Sequence, residues 1–235
     1  MTGPDEPTAP EEFDAAYWED RYRHGEGTGK HDPSPSLVTE TDGLRPGRAL
    51  DAGCGVGGDA LWLAAHGWQV TAVDISETAL DRGRASAQAA GPAFAGRIEW
   101  VHGDLTAWEP GRRAFDLVTS HYVHVPGPPE VLFGRLASWV APGGTLLVVG
   151  HDGGHGGHAG HGQDHGQDHG APRGHAHPPG ARIHVAQVVA GLPGDEWDVV
   201  VAEPRTHTMR RPDGGAPVTL EDVVVHARRR ADARP

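Results

Sequence analysis

Cysteine occurs once in the 235-residue chain, at Cys54, so no internal disulfide can form and stability has to come from packing. Methionine, phenylalanine and tyrosine are also scarce, at two, four and three residues, which leaves Val, Leu and Ala to build the core. No apolar run approaches the roughly 20 residues that cross a bilayer. The opening MTGPDEPTAPEE is acidic where a secretory leader is basic and then apolar, so the expectation is a cytoplasmic protein with no membrane partner. Positive charge is short as well: 20 Lys and Arg against 32 Asp and Glu leave a formal charge of −12. That balance disfavours nucleic acid, whose backbone is bound by cationic groups that displace its counterions. The one basic cluster, ARRRADARP, reads as a solvated end, with the basic tail itself at residues 229–235.

Glycine and proline are plentiful, 35 and 20 residues, and they crowd into residues 1–10, 25–47, 141–180 and 203–217. The blocks between are the candidate elements of a single domain. Residues 1–10, proline-rich and acidic, cannot bury enough apolar surface to offset ordering and are expected to be disordered. Residues 11–46 read as N-terminal lid helices: in PEEFDAAYWEDRYRHG, Phe13, Tyr17 and either Trp18 or Tyr22 recur at helical spacing after Pro10 and two glutamates. Over residues 47–150, strands (RALDA, WQVTAVD, RIEWVHGD, FDLVTSH, GTLLVVGH) alternate with helices (GGDALWLAAHG, SETALDRGRASAQAAG, PPEVLFGRLASWVAPGG). This pattern implies βαβ units and a doubly wound α/β fold with a mostly parallel sheet. Residues 181–228 add a short helix, IHVAQVVAGL, and two strands around PDGGAP, close enough to pair as an antiparallel hairpin.

The strongest local signal is ALDAGCGVGGDALWL, a strand, a glycine turn and a helix. Gly53, Gly55 and Gly57 let the backbone turn sharply and approach a ligand, and the helix N-terminus offers N–H groups to an anionic group. Gly53, Gly55 and Gly58 also satisfy G-x-G-x-x-G, with Asp74 about 20 residues on, so NAD is an open option on this motif alone. Three features weigh against it. Asp51 stands where it would repel a pyrophosphate and suit an ammonium. Asp104 ends the third strand, where it can accept from an exocyclic amine. The antiparallel ending is surplus to a simple dinucleotide domain.

D-x-G-x-G-x-G after strand 1, an acid ending strand 2, G-D ending strand 3, FDLV in strand 4 and PGG before strand 5 together resemble the class I S-adenosylmethionine-dependent methyltransferases, over roughly residues 11–230. The resemblance implies a Rossmann-like methyltransferase fold, with a seven-stranded sheet ending in an antiparallel hairpin, and S-adenosyl-L-methionine as cofactor. It implies that the loop Asp51, Gly53, Cys54, Gly55 and Gly57 meets the methionine portion. Asp74 would hold the ribose hydroxyls, Ile75 the adenine face, Asp104 and Leu105 the adenine edge, and Ser120 would lie near the sulfonium. The YWEDRYR helix resembles the lid of the thiopurine and tellurite-resistance branch, so Tyr17, Trp18 and Tyr22 would close over cofactor and substrate; the following GTGKHDPSPS lacks the aromatics expected there. Plainer roles exist for the same residues: aspartates at strand ends cap turns, and Cys54 is small enough for a tight loop.

Methyl transfer from a sulfonium is an in-line displacement, so alignment and exclusion of water dominate, with a general base added for a thiol, hydroxyl or amine acceptor. SHYVHVPGPP follows strand 4 at the carboxyl edge where open α/β sheets bind ligands, which makes His121 and His124 the candidate catalytic residues and Tyr122 a substrate contact. Their plainer role is that of hydrogen-bonded loop residues. The expected partner is a small-molecule methyl acceptor whose reacting atom the sequence leaves open.

Between His151 and Gly180 stand eight histidines and ten glycines, with the tandem QDHGQDHG. So many glycines disfavour the helix that would align these imidazoles as ligands, so residues 151–180 read as a flexible low-complexity insertion. Incidental capture of divalent metal such as zinc, nickel or copper is expected, with no metal ligand assigned. Two rival functions follow: a metal-binding protein using this segment on a methyltransferase scaffold, and an NAD-dependent oxidoreductase.

Overall fold

The computed structural model describes residues 13–25, 32–152, 182–209 and 218–232. The acidic N-terminal tail, the histidine-rich stretch beyond Asp152 and the PDGGAP turn lie outside the described residues.

Five strands form the parallel part of the sheet: β1 (Arg48–Ala52), β2 (Gln69–Asp74), β3 (Ile98–His102), β4 (Phe115–His121) and β5 (Val140–Asp152). The two C-terminal strands, β7 (Trp197–Met209) and β8 (Val218–Arg229), complete the order β3-β2-β1-β4-β5-β8-β7, with β8 antiparallel to both neighbours. This is the doubly wound sheet with its antiparallel hairpin that the sequence implies. An eighth strand, β6 (Arg182–Ile183), pairs in parallel with the end of β5. Two residues are too few for a period-2 pattern, so β6 carries no sequence signal.

Side chains alternate across the strands and feed two cores. Leu50, Val118, Leu146 and Phe115 face α6 (Pro129–Ser138) and α7 (Val185–Ala190), where Leu132, Phe133, Leu136 and Val188 are buried. Ala49, Leu117 and Leu147 face the other way, toward α3 (Gly58–Ala65) and α4 (Glu77–Ala90), with Leu63, Ala60 and Leu80. Both faces are covered, which is why the central strands read as near-continuous apolar runs. Among the described residues, no helix is long and apolar enough to cross a membrane.

Several boundaries differ from the sequence reading, each for a local reason. α1 runs from Ala15 to Arg23, not from the PEE segment: Asp14 Oδ1 accepts from the Tyr17 N–H at 2.7 Å, and Phe13 has φ 76°, which is not helical. Inside the Gly/Pro-rich stretch sits α2 (Pro35–Glu40), with proline in its first turn and Leu37 fully buried. A single further turn, α5 (Pro92–Ala95), follows α4. His151 and Asp152, assigned to the insertion, belong to β5. Arg229, assigned to the basic tail, ends β8 and is held at 2.8 Å by the Val140 carbonyl and at 2.9 Å by Glu196. The Glu196 carboxylate, brought close by the hairpin, removes that guanidinium from solvent.

Candidate active site

The carboxyl ends of β1, β2, β3 and β4 converge on the loop Gly53–Gly57. Gly53, Gly55 and Gly57 have φ values of 76°, 52° and 83°, the region that favours glycine, and Gly57 is the left-handed N-cap of α3. A Cβ on Gly53 would collide with Val123, and one on Gly57 with Trp100 of β3. The Gly53 and Cys54 N–H groups donate to the Val73 carbonyl, and the Gly55 N–H donates to Asp74 Oδ2 at 2.7 Å. The other Asp74 oxygen accepts from the Ser76 N–H at 2.9 Å. Burial raises the Asp74 carboxyl above its ordinary range, and those backbone donors partly offset the shift. Asp74 therefore ties the glycine loop to the start of α4.

Asp51 is buried at the end of β1. One oxygen lies 3.4 Å from Thr119 Oγ1, and Oδ2 has no hydrogen-bond partner. Burial and then the neighbouring Asp59 charge push its carboxyl up to about 7, against the pull of His121. His121, at the end of β4, is only 5% exposed, and its Nδ1 stands 2.5 Å from Asp59 Oδ2. The second Asp59 oxygen accepts from the Ser34 N–H at 2.7 Å. Burial alone would raise Asp59, but the His121 charge, its hydrogen bond and the Ser34 donor hold the carboxyl below its ordinary value. Burial likewise opposes charge on His121, yet Asp59, with Asp51 and Asp222 behind it, raises the imidazole. The one hint of Asp59 in the sequence was an acid in the first turn of the helix after the glycine loop.

The remaining expected cofactor residues divide. Ser120 is buried in β4, and Leu105 is buried below the turn after β3. The Ile75 carbonyl lies 2.9 Å from His102 Nε2 at the same rim. Asp104 is exposed, and its Oδ1 accepts from both the N–H and hydroxyl of Thr106, the geometry of an aspartate capping its own turn. Cys54 is buried and its thiol is pushed up by burial and by Asp74, which keeps it in its neutral form.

Helix α1, expected to form a lid, packs at this rim. Glu19 accepts from the Ser76 hydroxyl at 2.7 Å and the Thr78 hydroxyl at 2.5 Å, and these bonds hold its carboxyl down at about 2. Arg82 donates to the Tyr22 carbonyl at 2.8 Å. The Tyr22 hydroxyl lies against Gly55, where it would block any Cβ, and burial raises the phenol. Trp18 stacks on His124 with ring centroids 6.2 Å apart, and Phe13 approaches the same imidazole at 5.4 Å. Tyr17 packs on Phe13 and Trp18, and its hydroxyl accepts from Arg21. Tyr122, in the left-handed region at φ 56°, donates to Asp222 Oδ2 of β8 at 2.6 Å and its ring lies 4.6 Å from that of His151. It fastens the loop after β4 to the hairpin. Beside these residues opens a cleft of about 380 Å³, lined by Phe13, Val123, His124, Leu132, Phe133 and Ile183 among others.

The comparisons with known proteins agree with this geometry. Residues 49–144 match a family described as a methyltransferase domain. A probable thiol methyltransferase of Arabidopsis thaliana is 32% identical over 124 residues, 52% of this chain and 54% of the relative, so the chain spans about half of it. Among solved structures, one from work on conversion of a disulfide bond into a thioacetal group during echinomycin biosynthesis superimposes with a TM-score of 0.67 at 21% identity, covering 93% of each chain. TehB from Haemophilus influenzae gives 0.61 at 15% identity, over 92% of this chain and 67% of that one. Residues 49–144 thus carry a methyltransferase domain, and the fold over most of the chain is that of these solved structures.

Proposed function

We propose that the protein transfers a methyl group from S-adenosylmethionine to a small-molecule acceptor in the cytoplasm. The observation that carries this is the buried Asp51 carboxylate, unpartnered at Oδ2, beside a glycine loop with three left-handed residues. A carboxylate there calls for a cation and repels a pyrophosphate, which favours an aminoacyl-bearing cofactor over NAD. Asp74, fixed by Gly55 and Ser76, suits the ribose hydroxyls, and Ile75 and Leu105 suit the adenine. When bound, S-adenosylmethionine supplies an electrophilic methyl on a cationic sulfur. The chain's own part is to position and to exclude water: Glu19 and Arg82 hold α1 down and Tyr22 covers the loop, so α1 has to swing away for the cofactor to enter.

The cleft beside His124 is the acceptor site in this reading. Apart from His124 the side chains that line it are apolar, which fits an acceptor with an apolar body presenting one nucleophilic atom. His124, against which Trp18 and Phe13 both pack, is placed to take the acceptor's proton. The test is product formation from thiols, phenols, amines and metalloid oxyanions, read as S-adenosylhomocysteine released. Turnover of at least one class is expected; cofactor binding with turnover of none sinks the proposal. Filling the cleft with Leu132→Trp should raise the acceptor KM roughly tenfold or more, while S-adenosylhomocysteine affinity stays unchanged in calorimetry.

A further inference from the structure

Chain order sets His121 beside the acceptor, but its surroundings suit another task. Its Nδ1 is committed to Asp59 at 2.5 Å, its ring is enclosed, and its Nε2 is buried with no hydrogen-bond partner. Asp51 Oδ2 is another buried atom without a hydrogen-bond partner here. The two residues sit on strands that pair directly, Asp51 lying opposite Thr119 and His121 two residues further along β4. An unsatisfied polar atom in the interior is costly, and two of opposite character side by side ask for a ligand that is itself a zwitterion. The end of an α-amino acid is such a group. Its ammonium matches Asp51 and its carboxylate matches a protonated imidazole.

We propose that His121 is the anchor of the cofactor's carboxylate and not a general base: Nε2–H donates to the carboxylate of the aminoacyl end, while Asp59, which does not touch the cofactor, positions the ring and keeps it charged. This rests on the methyltransferase reading. A base must hold Nε2 unprotonated to take up a proton, whereas an imidazole whose Nδ1 is bonded to Asp59, with Asp51 and Asp222 near, is shifted toward holding both ring protons. Asp59 is well suited to stay ionised, since it lies in the first turn of α3 and accepts from the Ser34 N–H.

The test compares two ligands by calorimetry on the full chain: S-adenosylhomocysteine, and 5′-methylthioadenosine, which keeps the adenosine and thioether but lacks the aminoacyl end. His121→Leu, which has no donor, should weaken the first about 10- to 100-fold, the range for losing one hydrogen bond to a charged group, and leave the second unchanged. That unchanged binding also reports an intact fold. In Asp59→Asn, affinity for S-adenosylhomocysteine should begin to fall at a lower pH than in the parent protein, because the imidazole loses its counter-charge; a merely structural Asp59 would not shift that limb. Equal losses for both ligands would overturn the proposal, as would unchanged affinity with collapsed turnover and a lost limb of the kcat pH profile, the mark of a base. Binding of 5′-methylthioadenosine but not S-adenosylhomocysteine to the parent protein refutes the anchor alone. Binding of neither refutes the methyltransferase reading with it.

Discussion

Replacing Asp51 with Asn should lower affinity for S-adenosylhomocysteine by at least about 100-fold, because the cofactor's ammonium then loses a buried counter-charge. The loss should come without destabilisation. The Asp51 carboxyl is raised from its ordinary value to about 7, chiefly by burial and Asp59, so the folded state holds a proton that the unfolded chain releases near pH 4. A raised carboxyl contributes stability that is present below the unfolded value and lost as pH rises through about 7. Asn cannot ionise, so the apo Asp51→Asn protein should melt at the same temperature as the parent or higher at pH 8. The parent should bind S-adenosylhomocysteine more tightly as pH rises toward 7 and release a proton on binding, seen as a buffer-dependent enthalpy. The variant should show neither effect.

Gly57→Ala should have the largest effect on the fold itself. Gly57 has φ 83°, where an L-residue costs about 1–2 kcal/mol, and its Cβ would strike the Trp100 indole. Trp100 cannot retreat easily, because a Cβ on Gly83 would meet the same ring: the indole is seated between two glycines. Strain and overpacking together amount to about 2–4 kcal/mol, or a drop in Tm of roughly 5–15 °C for a chain of this size. Differential scanning calorimetry reads that shift, and a wild-type Tm would mean that the loop does not need this bend.

The elements that position the site were legible because their causes are local. The glycine turn, the alternating apolar strands and the amphipathic lid each fit within a few residues of sequence, and so did Asp51 and Asp74 at strand ends. What could not be read is what the fold brings together from afar. His121 meets Asp59 across 62 positions, Tyr122 meets Asp222 across 100, and Glu19 meets Ser76 across 57. No periodicity encodes such partners. That is why the sequence offers His121 only as a candidate base or a hydrogen-bonded loop residue, while the structure pairs it with Asp59. Asp104 shows the opposite case: its place after β3 invites a cofactor role, yet Thr106, two residues on, satisfies one of its oxygens.

Calorimetric titration of the full chain with S-adenosylhomocysteine and, separately, with NAD tests the central claim most directly. One site that binds S-adenosylhomocysteine and ignores NAD is the predicted result. Binding of NAD with no response to S-adenosylhomocysteine would contradict it.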